Sequence, residues 1–143
     1  KSSGEELSII NLHMKCCDSG LQRRQKASLM LYEYLIGIEN INNLIVLGDW
    51  NDDLKDEPKE HCFSPFLNDD RFYFANHKIV HDINQASYPK EPYVSFLDHI
   101  LVTKNLISNK VATLPIDEWM NGYEIYESYI SDHKPVFLSF KIE

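Results

Sequence analysis

Three short segments of this chain join an apolar run to side chains that could carry out acid–base or metal chemistry. They are LIVLGDWND (44–52), SFLDHILVT (95–103) and YISDHKPVFLSF (129–140). Each apolar run is typical of a strand, and the polar residues fall where a strand begins or ends. We therefore expect one edge of a sheet to gather the polar side chains, which are Asp49, Asn51, Asp98, Asp132 and His133. Such a cluster of carboxylates and imidazole suits metal-assisted attack on a phosphate ester.

The first segment places an acid and an amide directly after a buried strand. Gly48 allows the tight backbone with which the strand leaves the sheet. Asp49 and Asn51 are two residues apart, so an extended backbone would point both side chains to the same side. The carboxylate could bind Mg²⁺ or take a proton from water, and the amide could donate to a phosphate oxygen. Taken alone, the segment is more typical of an ordinary turn rich in Asp and Asn than of a site.

The other two segments each carry an acid beside a histidine. Adjacent residues of a strand point to opposite faces, so Asp98 and His99 serve different surroundings. We expect Asp98 to orient an imidazole from elsewhere in the chain, and His99 to be a packed histidine of the framework. His133 stands in the loop before the last strand, and histidine is the side chain best suited to proton transfer near neutral pH.

The elements that would position these groups follow from the hydrophobic pattern. One helix is predicted over 21–40, and its basic cluster (Arg23, Arg24 and Lys26) is interpreted as a solvated face. The predicted strands are 7–13, 44–47, 72–75, 96–103, 111–116 and 136–141. The order of strand, helix, strand and then several strands predicts an α/β domain built on a mixed sheet.

Length and composition limit the possible classes of protein. The 143 residues favour one domain spanning 1–143, with a net charge of −8 that argues against tight binding to duplex DNA. We find no apolar run long enough to span a membrane, so we expect a soluble protein, either cytoplasmic or exported. The three cysteines (Cys16, Cys17 and Cys62) have no metal-ligand spacing and are predicted to be free thiols.

Four motifs together resemble the endonuclease/exonuclease/phosphatase superfamily, whose fold is that of deoxyribonuclease I. They are INLHMK, LGDWND, FLDHILVT and SDHKPV, in the order that the family shows, and the resemblance runs from about residue 7 to residue 141. It implies half of a four-layer α/β sandwich, with a mixed sheet and flanking helices. Family members usually need Mg²⁺ or Mn²⁺, so the resemblance implies a divalent metal here.

The resemblance also implies a role for each matching residue in the first two motifs. His13 matches the histidine that contacts the scissile phosphate or protonates the leaving group. Asp49 matches an acid that activates the attacking water or helps to bind the metal. Asn51 matches an amide that holds the phosphate.

The resemblance also implies roles for the matching residues of the last two motifs. Asp98 matches the acid that orients the catalytic histidine, and His133 matches that histidine itself. Asp132 matches a metal-coordinating acid next to it. Asp132 and Asp49 are therefore the expected metal ligands.

Family domains are about twice as long as this chain, which resembles their C-terminal half only. Their first half supplies an Asn and a Glu that hold the metal, and no segment here looks like a substitute. The opening residues look like a cut into a longer polypeptide. We expect the 143 residues alone to have weak activity or none. We also expect them to pair with the missing half, or to self-associate, through an uncovered apolar sheet face.

Three functions stay open on the sequence. The first is a phosphodiesterase, with nucleic acid as one candidate substrate. The second is an enzyme of the same superfamily that acts on a phosphorylated small molecule or a lipid head group, which the acidic charge slightly favours. The third is a non-catalytic module that kept the fold, although such a module would have no physical need for the six matching polar residues.

Overall fold

The computed structural model describes residues 6–17, 20–39 and 41–142, and these ranges form an α/β fold. The strands are β1 (Ser8–His13), β2 (Leu44–Asp49), β3 (Phe72–Phe74), β4 (Asp98–Thr103), β5 (Leu106–Thr113) and β6 (Val136–Ile142). The α-helices are α1 (Gly20–Ile36), α2 (Ser64–Leu67) and α3 (Tyr123–Tyr129). Three short 3₁₀ helices span Ala75–Lys78, Ile83–Gln85 and Ile116–Met120. None of the helices in the described ranges is both long and apolar enough to cross a bilayer.

The larger sheet is mixed, as predicted, and its strand order is β1-β2-β4-β3. β1 and β2 run parallel, whereas β4 is antiparallel to both β2 and β3. Because β4 runs in the opposite direction, its first residue lies at the same edge of the sheet as the last residues of β1 and β2. β5 and β6 form a separate antiparallel pair.

The two faces of the sheet build two apolar clusters, since successive strand residues point to opposite sides. Leu44 and Val46 of β2 pack in the cluster that contains Leu35 of α1 and Phe66 of α2. Ile45 alternates with them and packs in the cluster that receives the inner residues of β6. Helices thus cover one face and the β5–β6 pair contacts the other, which explains why β2 is apolar without alternation.

Two predicted boundaries differ from the structure by four residues or more, the start of β5 and the end of α1. β5 begins at Leu106, five positions before the predicted start at 111. A register shift between Ser108 and Lys110 interrupts its pairing with β6, and such an irregularity hides the alternation of apolar and polar residues that marks a strand. The helix ends at Ile36, and Gly37 follows it, a residue commonly found just after a helix end.

The prediction of a solvated basic face on α1 was wrong for Arg24. Its side chain is buried beside Asp52, with 2.5 Å between Nη2 and Oδ1. Its Nη1 donates a second hydrogen bond to the carbonyl oxygen of Lys15 at 2.8 Å. A buried charge needs such partners, so Arg24 ties α1 both to the end of β1 and to the loop after β2.

Candidate active site

Three of the candidate residues lie in one row across the sheet. His13 at the end of β1 is the register partner of Asp49, and Asp49 at the end of β2 is the register partner of Asp98. Partners in neighbouring strands point to the same face of a sheet. Sheet pairing alone therefore brings an imidazole and two carboxylates to one edge, and His13 Nε2 lies 3.4 Å from Asp49 Oδ2.

The end of β2 and the loop after it each contain one residue with a positive φ. Gly48 has a φ of 135°, and a Cβ atom there would lie 1.9 Å from the carbonyl oxygen of Leu12, so no other residue fits. Asn51 has a φ of 53° in the left-handed region. The expectation of an extended backbone from Asp49 to Asn51 was wrong, because the chain turns sharply at this point.

This turn is held by hydrogen bonds from Asn51. Its backbone N–H donates to Asp49 Oδ1 at 2.8 Å, and its side-chain amide donates to the carbonyl oxygen of Met14 at 2.9 Å. Trp50 lies between Asp49 and Asn51 in the sequence. Its side chain is completely buried, and its indole N–H donates to the carbonyl oxygen of His99. The buried indole anchors the loop, so that Asp49 and Asn51 both stay at the sheet edge.

Asp98 and His133 form a direct pair. Nδ1 of His133 lies 2.7 Å from Asp98 Oδ2. An ionised carboxylate only accepts hydrogen bonds, so Nδ1 carries the proton and Nε2 is left for another partner. The hydrogen bond to Asp98 raises the pKa of His133 above its usual value and outweighs the opposing effect of burial. The pair therefore favours the protonated imidazole, the form that can donate a proton or stabilise negative charge.

Asp49 is a partly buried carboxylate, and burial disfavours its charged form. Burial raises the pKa of Asp49, and the nearby charge of Asp98 adds to the rise, although the hydrogen bond from Asn51 opposes it. A carboxylate with a raised pKa gains from a nearby cation or can accept a proton itself.

A group of three side chains could hold a metal ion. Asp49, Asp98 and His133 each offer a ligand atom, and these atoms lie within 4.8 Å of one another. Carboxylate oxygens suit Mg²⁺ and Mn²⁺, and the partly desolvated Asp49 would be stabilised by positive charge, so the donor set fits a divalent cation. Asp132, the other expected metal ligand, is exposed and lies outside this group.

A cavity of about 880 Å³ gathers all six sequence-predicted residues on its wall. The predicted ones are His13, Asp49, Asn51, Asp98, Asp132 and His133, and the others are Cys16, Cys17, Tyr88, Tyr93, Leu97 and Ser131. Of the predicted six, His13 and Asp49 approach each other, Asp98 and His133 form a pair, and Asp132 stays at the surface.

His99 takes no part in this cavity, and its predicted role in the framework is confirmed. It is buried, its Nδ1 lies 2.8 Å from the amide nitrogen of Asn76, and its Nε2 lies 2.9 Å from the carbonyl oxygen of Asp52. Burial lowers the pKa of His99, so this imidazole is neutral. His99 and Asp98 thus serve opposite faces, as their adjacent positions require.

Comparison with known proteins identifies the family. The model of the Endonuclease/Exonuclease/phosphatase family matches residues 13–133, which include every residue of the cluster. The chain belongs to this family. A search of curated protein sequences gave no match.

Solved structures of the Endonuclease/Exonuclease/phosphatase family share the fold. A family protein from Bacteroides thetaiotaomicron superposes with a TM-score of 0.71 at 19% identity, covering 100% of this chain and 52% of that one. The human Nocturnin catalytic domain gives 0.69 at 24% identity, covering 100% and 50%. A mannosyl-6-phosphatase of Bacteroides thetaiotaomicron gives 0.65 at 18% identity, covering 98% and 53%. The chain thus spans about half the length of these structures, and the fold is half of a DNase I-like sandwich.

The cysteines at the cavity were not anticipated. Cys16 and Cys17 are joined in a disulfide, so the prediction of free thiols was wrong for both, and it is confirmed for the buried Cys62. Cys17 has a φ of 62°, in the left-handed region. Sequence spacing gave no signal of this disulfide, because a link between neighbouring residues depends on one backbone turn.

Replacing Asp98 by Asn is expected to lower the pKa of His133 towards the ordinary histidine value of about 6.5. The folded-state pKa of His133 is raised, so the pair contributes its full stability below the unfolded value and loses it as pH rises through the folded pKa. The free energy of unfolding of Asp98→Asn should therefore fall below that of wild type most strongly at acidic pH. Urea unfolding at about pH 5.5 and about pH 9 measures this difference.

The histidine resonances provide an internal control for this variant. His81 is exposed and does not line the cavity, so the chemical shifts of its imidazole protons should be the same in both proteins at a given pH. An unchanged His133 titration in Asp98→Asn, or an equal loss of stability at both pH values, would contradict the assigned pair.

Proposed function

We propose that the full-length protein is a divalent-metal-dependent phosphoric ester hydrolase, most simply a phosphodiesterase of the nuclease type. The row formed by His13, Asp49 and Asp98, with His133 bound to Asp98 at the same edge, carries this proposal. Paired acids and histidines at one cavity are what attack on a phosphate ester needs, because a proton must leave the nucleophile and another must reach the leaving group. Membership of the family supports the same reaction class.

Each of the candidate residues at the cavity has a separate role in the proposed reaction. Asp49 positions the attacking water and takes its proton, since it lies at the cavity wall beside His13 and Asp98. Protonated His133 stabilises the charge of the pentacovalent phosphate through Nε2, while Asp98 holds Nδ1. Asn51 and the exposed His13 bind the remaining phosphate oxygens or protonate the leaving oxygen.

A Mg²⁺ or Mn²⁺ ion completes this arrangement in the proposal. Asp49, which belongs to the group that could hold a metal ion, and the exposed Asp132 on the same cavity wall would hold the ion from this half of the domain, together with ligands from the other half. When bound, the ion neutralises the phosphate and stabilises the charge that develops in the transition state. The net charge of −8 makes such a cation more necessary, since an acidic protein otherwise repels its substrate.

The other half of the domain is the partner that this chain is proposed to bind. The structural neighbours are about twice as long, since the chain covers 50% to 53% of their length. Ile9 of β1 pairs with Ile45, so both lie on the face that the β5–β6 pair contacts, yet Ile9 is 59% exposed. An apolar strand end left open on that face suits a covering sheet. A dimeric mass for the isolated chain would instead support self-association.

The proposed activity predicts a metal requirement and a dependence on Asp49. The full-length protein should hydrolyse bis-p-nitrophenyl phosphate with added Mg²⁺ or Mn²⁺, and chelation should abolish turnover. Asp49→Ala should lower kcat by on the order of a hundredfold or more, because it removes the group that handles the proton of water. Asp70→Ala, at an exposed acid that does not line the cavity, is the matched control.

Either of two results would overturn the proposal: full turnover in excess chelator, or an Asp49→Ala variant as fast as wild type. A protein that binds metal but hydrolyses no phosphate ester would point to the non-catalytic module. The isolated 143 residues should show weak turnover or none, since the family's other metal ligands lie in the missing half.

A phosphorylated small molecule or a lipid head group is the second candidate substrate. The cavity wall includes three carboxylates and no lysine or arginine among the described residues, which suits a substrate with a single phosphate better than a polyanion. A panel of plasmid DNA, sphingomyelin, inositol phosphates and a sugar phosphate separates the two candidates. Faster cleavage of DNA than of the small substrates would reject the second.

A further inference from the structure

Ser87 makes hydrogen bonds to both segments that carry the Asp98–His133 pair. It is 1% exposed and lies between the 3₁₀ helix Ile83–Gln85 and β4. Its Oγ accepts hydrogen bonds from the backbone N–H groups of Leu97 and Asp98, both at 3.0 Å. Its carbonyl oxygen accepts a third from the backbone N–H of Lys134 at 2.7 Å.

The position of Ser87 matters because no sheet pairing links the two members of the pair. Asp98 begins β4 in the four-stranded sheet, whereas His133 precedes β6 in the two-stranded sheet. The hydroxyl of Tyr126 donates to the carbonyl oxygen of His133, but within the described part of the chain it makes no hydrogen bond to β4. Within the described ranges, Ser87 is the residue whose hydrogen bonds reach the backbone on both sides of the pair.

We propose that Ser87 is a positioning residue that sets the distance and angle between Asp98 and His133. This inference rests on the proposed function. Ser87 does not touch the reacting atoms in this view; it fixes the two groups that do. A hydrogen bond of 2.7 Å keeps its length only if the donor and the acceptor are each held in place to within a few tenths of an ångström. A shift of about 1 Å in a catalytic group can cost on the order of a hundredfold in rate.

Substitution at Ser87 can remove its hydrogen bonds to Leu97 and Asp98 without removing its hydrogen bond to Lys134. Ser87→Ala removes the oxygen that accepts from Leu97 and Asp98, yet it keeps the main-chain carbonyl that binds Lys134. The start of β4 should therefore shift while the loop of His133 stays in place. Ser87→Thr keeps the accepting oxygen and should restore the wild-type behaviour.

Two measurements on the full-length protein test the proposal. With bis-p-nitrophenyl phosphate, Ser87→Ala should lower kcat by on the order of ten- to a hundredfold with a much smaller change in KM. The downfield proton resonance of His133 Nδ1–H should weaken or move upfield in Ser87→Ala and return in Ser87→Thr. Ser95→Ala is the matched control, because the hydroxyl of Ser95 donates only to the local carbonyl oxygen of Tyr93.

The outcomes separate this inference from the proposed function. A Ser87→Ala protein with wild-type kcat and an unchanged His133 Nδ1–H resonance would overturn the positioning role. If Ser87→Ala does not fold, Ser87→Cys replaces it, since sulfur is of similar size and a weaker acceptor; wild-type values in that variant would also reject the role. If the wild-type protein hydrolyses nothing, the proposed function fails, and the Nδ1–H resonance alone still decides the role of Ser87.

Discussion

His133→Ala in the full-length protein is expected to lower kcat on a phosphodiester by at least about a hundredfold. The substitution removes the imidazole that Asp98 holds at 2.7 Å, and with it the positive charge that would face the phosphate in the proposed mechanism. KM should change much less, because the imidazole acts most strongly on charge that develops in the transition state. Steady-state kinetics with bis-p-nitrophenyl phosphate and saturating Mg²⁺ measure both quantities.

A second histidine provides the control for His133→Ala. His81 is exposed and does not line the cavity, so His81→Ala should have wild-type kinetics. The kcat of Asp98→Asn should fall less than that of His133→Ala, because Asp98→Asn keeps the imidazole and removes only the carboxylate that orients it. Turnover of His133→Ala within about threefold of wild type would remove this histidine from the proposed mechanism.

Arg24→Met is expected to lower the free energy of unfolding by about 3 to 5 kcal/mol. Asp52 is only 5% exposed, and its Oδ1 is bound to Arg24 at 2.5 Å. Without the guanidinium, this carboxylate would stay buried and unpaired, or would have to take up a proton. The carbonyl oxygen of Lys15 would also lose its donor. Urea unfolding followed by circular dichroism gives the change.

An exposed ion pair offers the matched control for Arg24→Met. Lys104 and Asp70 lie 3.2 Å apart with most of both side chains in solvent, so Lys104→Met should cost at most about 1 kcal/mol. Replacing both members of the buried pair, as in Arg24→Met with Asp52→Leu, should recover much of the lost stability, because no charge is then left unpaired. An Arg24→Met protein as stable as Lys104→Met would show that burial does not make Asp52 dependent on its partner.

The same pair also bears on the site. Asp52 follows Asn51 directly, and its carbonyl oxygen receives the Nε2 hydrogen bond of His99. Release of Asp52 should therefore loosen the turn that places Asp49 and Asn51, and activity should fall before global unfolding. A loss of kcat in Arg24→Met under conditions where the protein is fully folded would show this coupling.

Local patterns of sequence were sufficient to predict where strands occur, though not all of their boundaries, and to recognise the family. The apolar run 44–47 predicts a buried strand because it is short for a helix, is rich in β-branched residues and is followed by a glycine. The adjacency of Asp98 and His99 predicted their separation onto opposite faces, since the side-chain period of a strand is two residues. The motifs that carry the resemblance are also local, and the family match over residues 13–133 runs from the first of them into the last.

Other features depend on contacts between distant parts of the chain, and only the tertiary structure decided them. Arg24 looks like any surface arginine of a helix until the loop after β2 places Asp52 against it, 28 residues away in sequence. Ser87 lies in a polar segment without motif or period, and its role follows from two backbone segments that meet around it. The reason is physical: periodicity records which face of an element is buried, whereas a buried polar residue is specified by the particular partners that the fold brings to it.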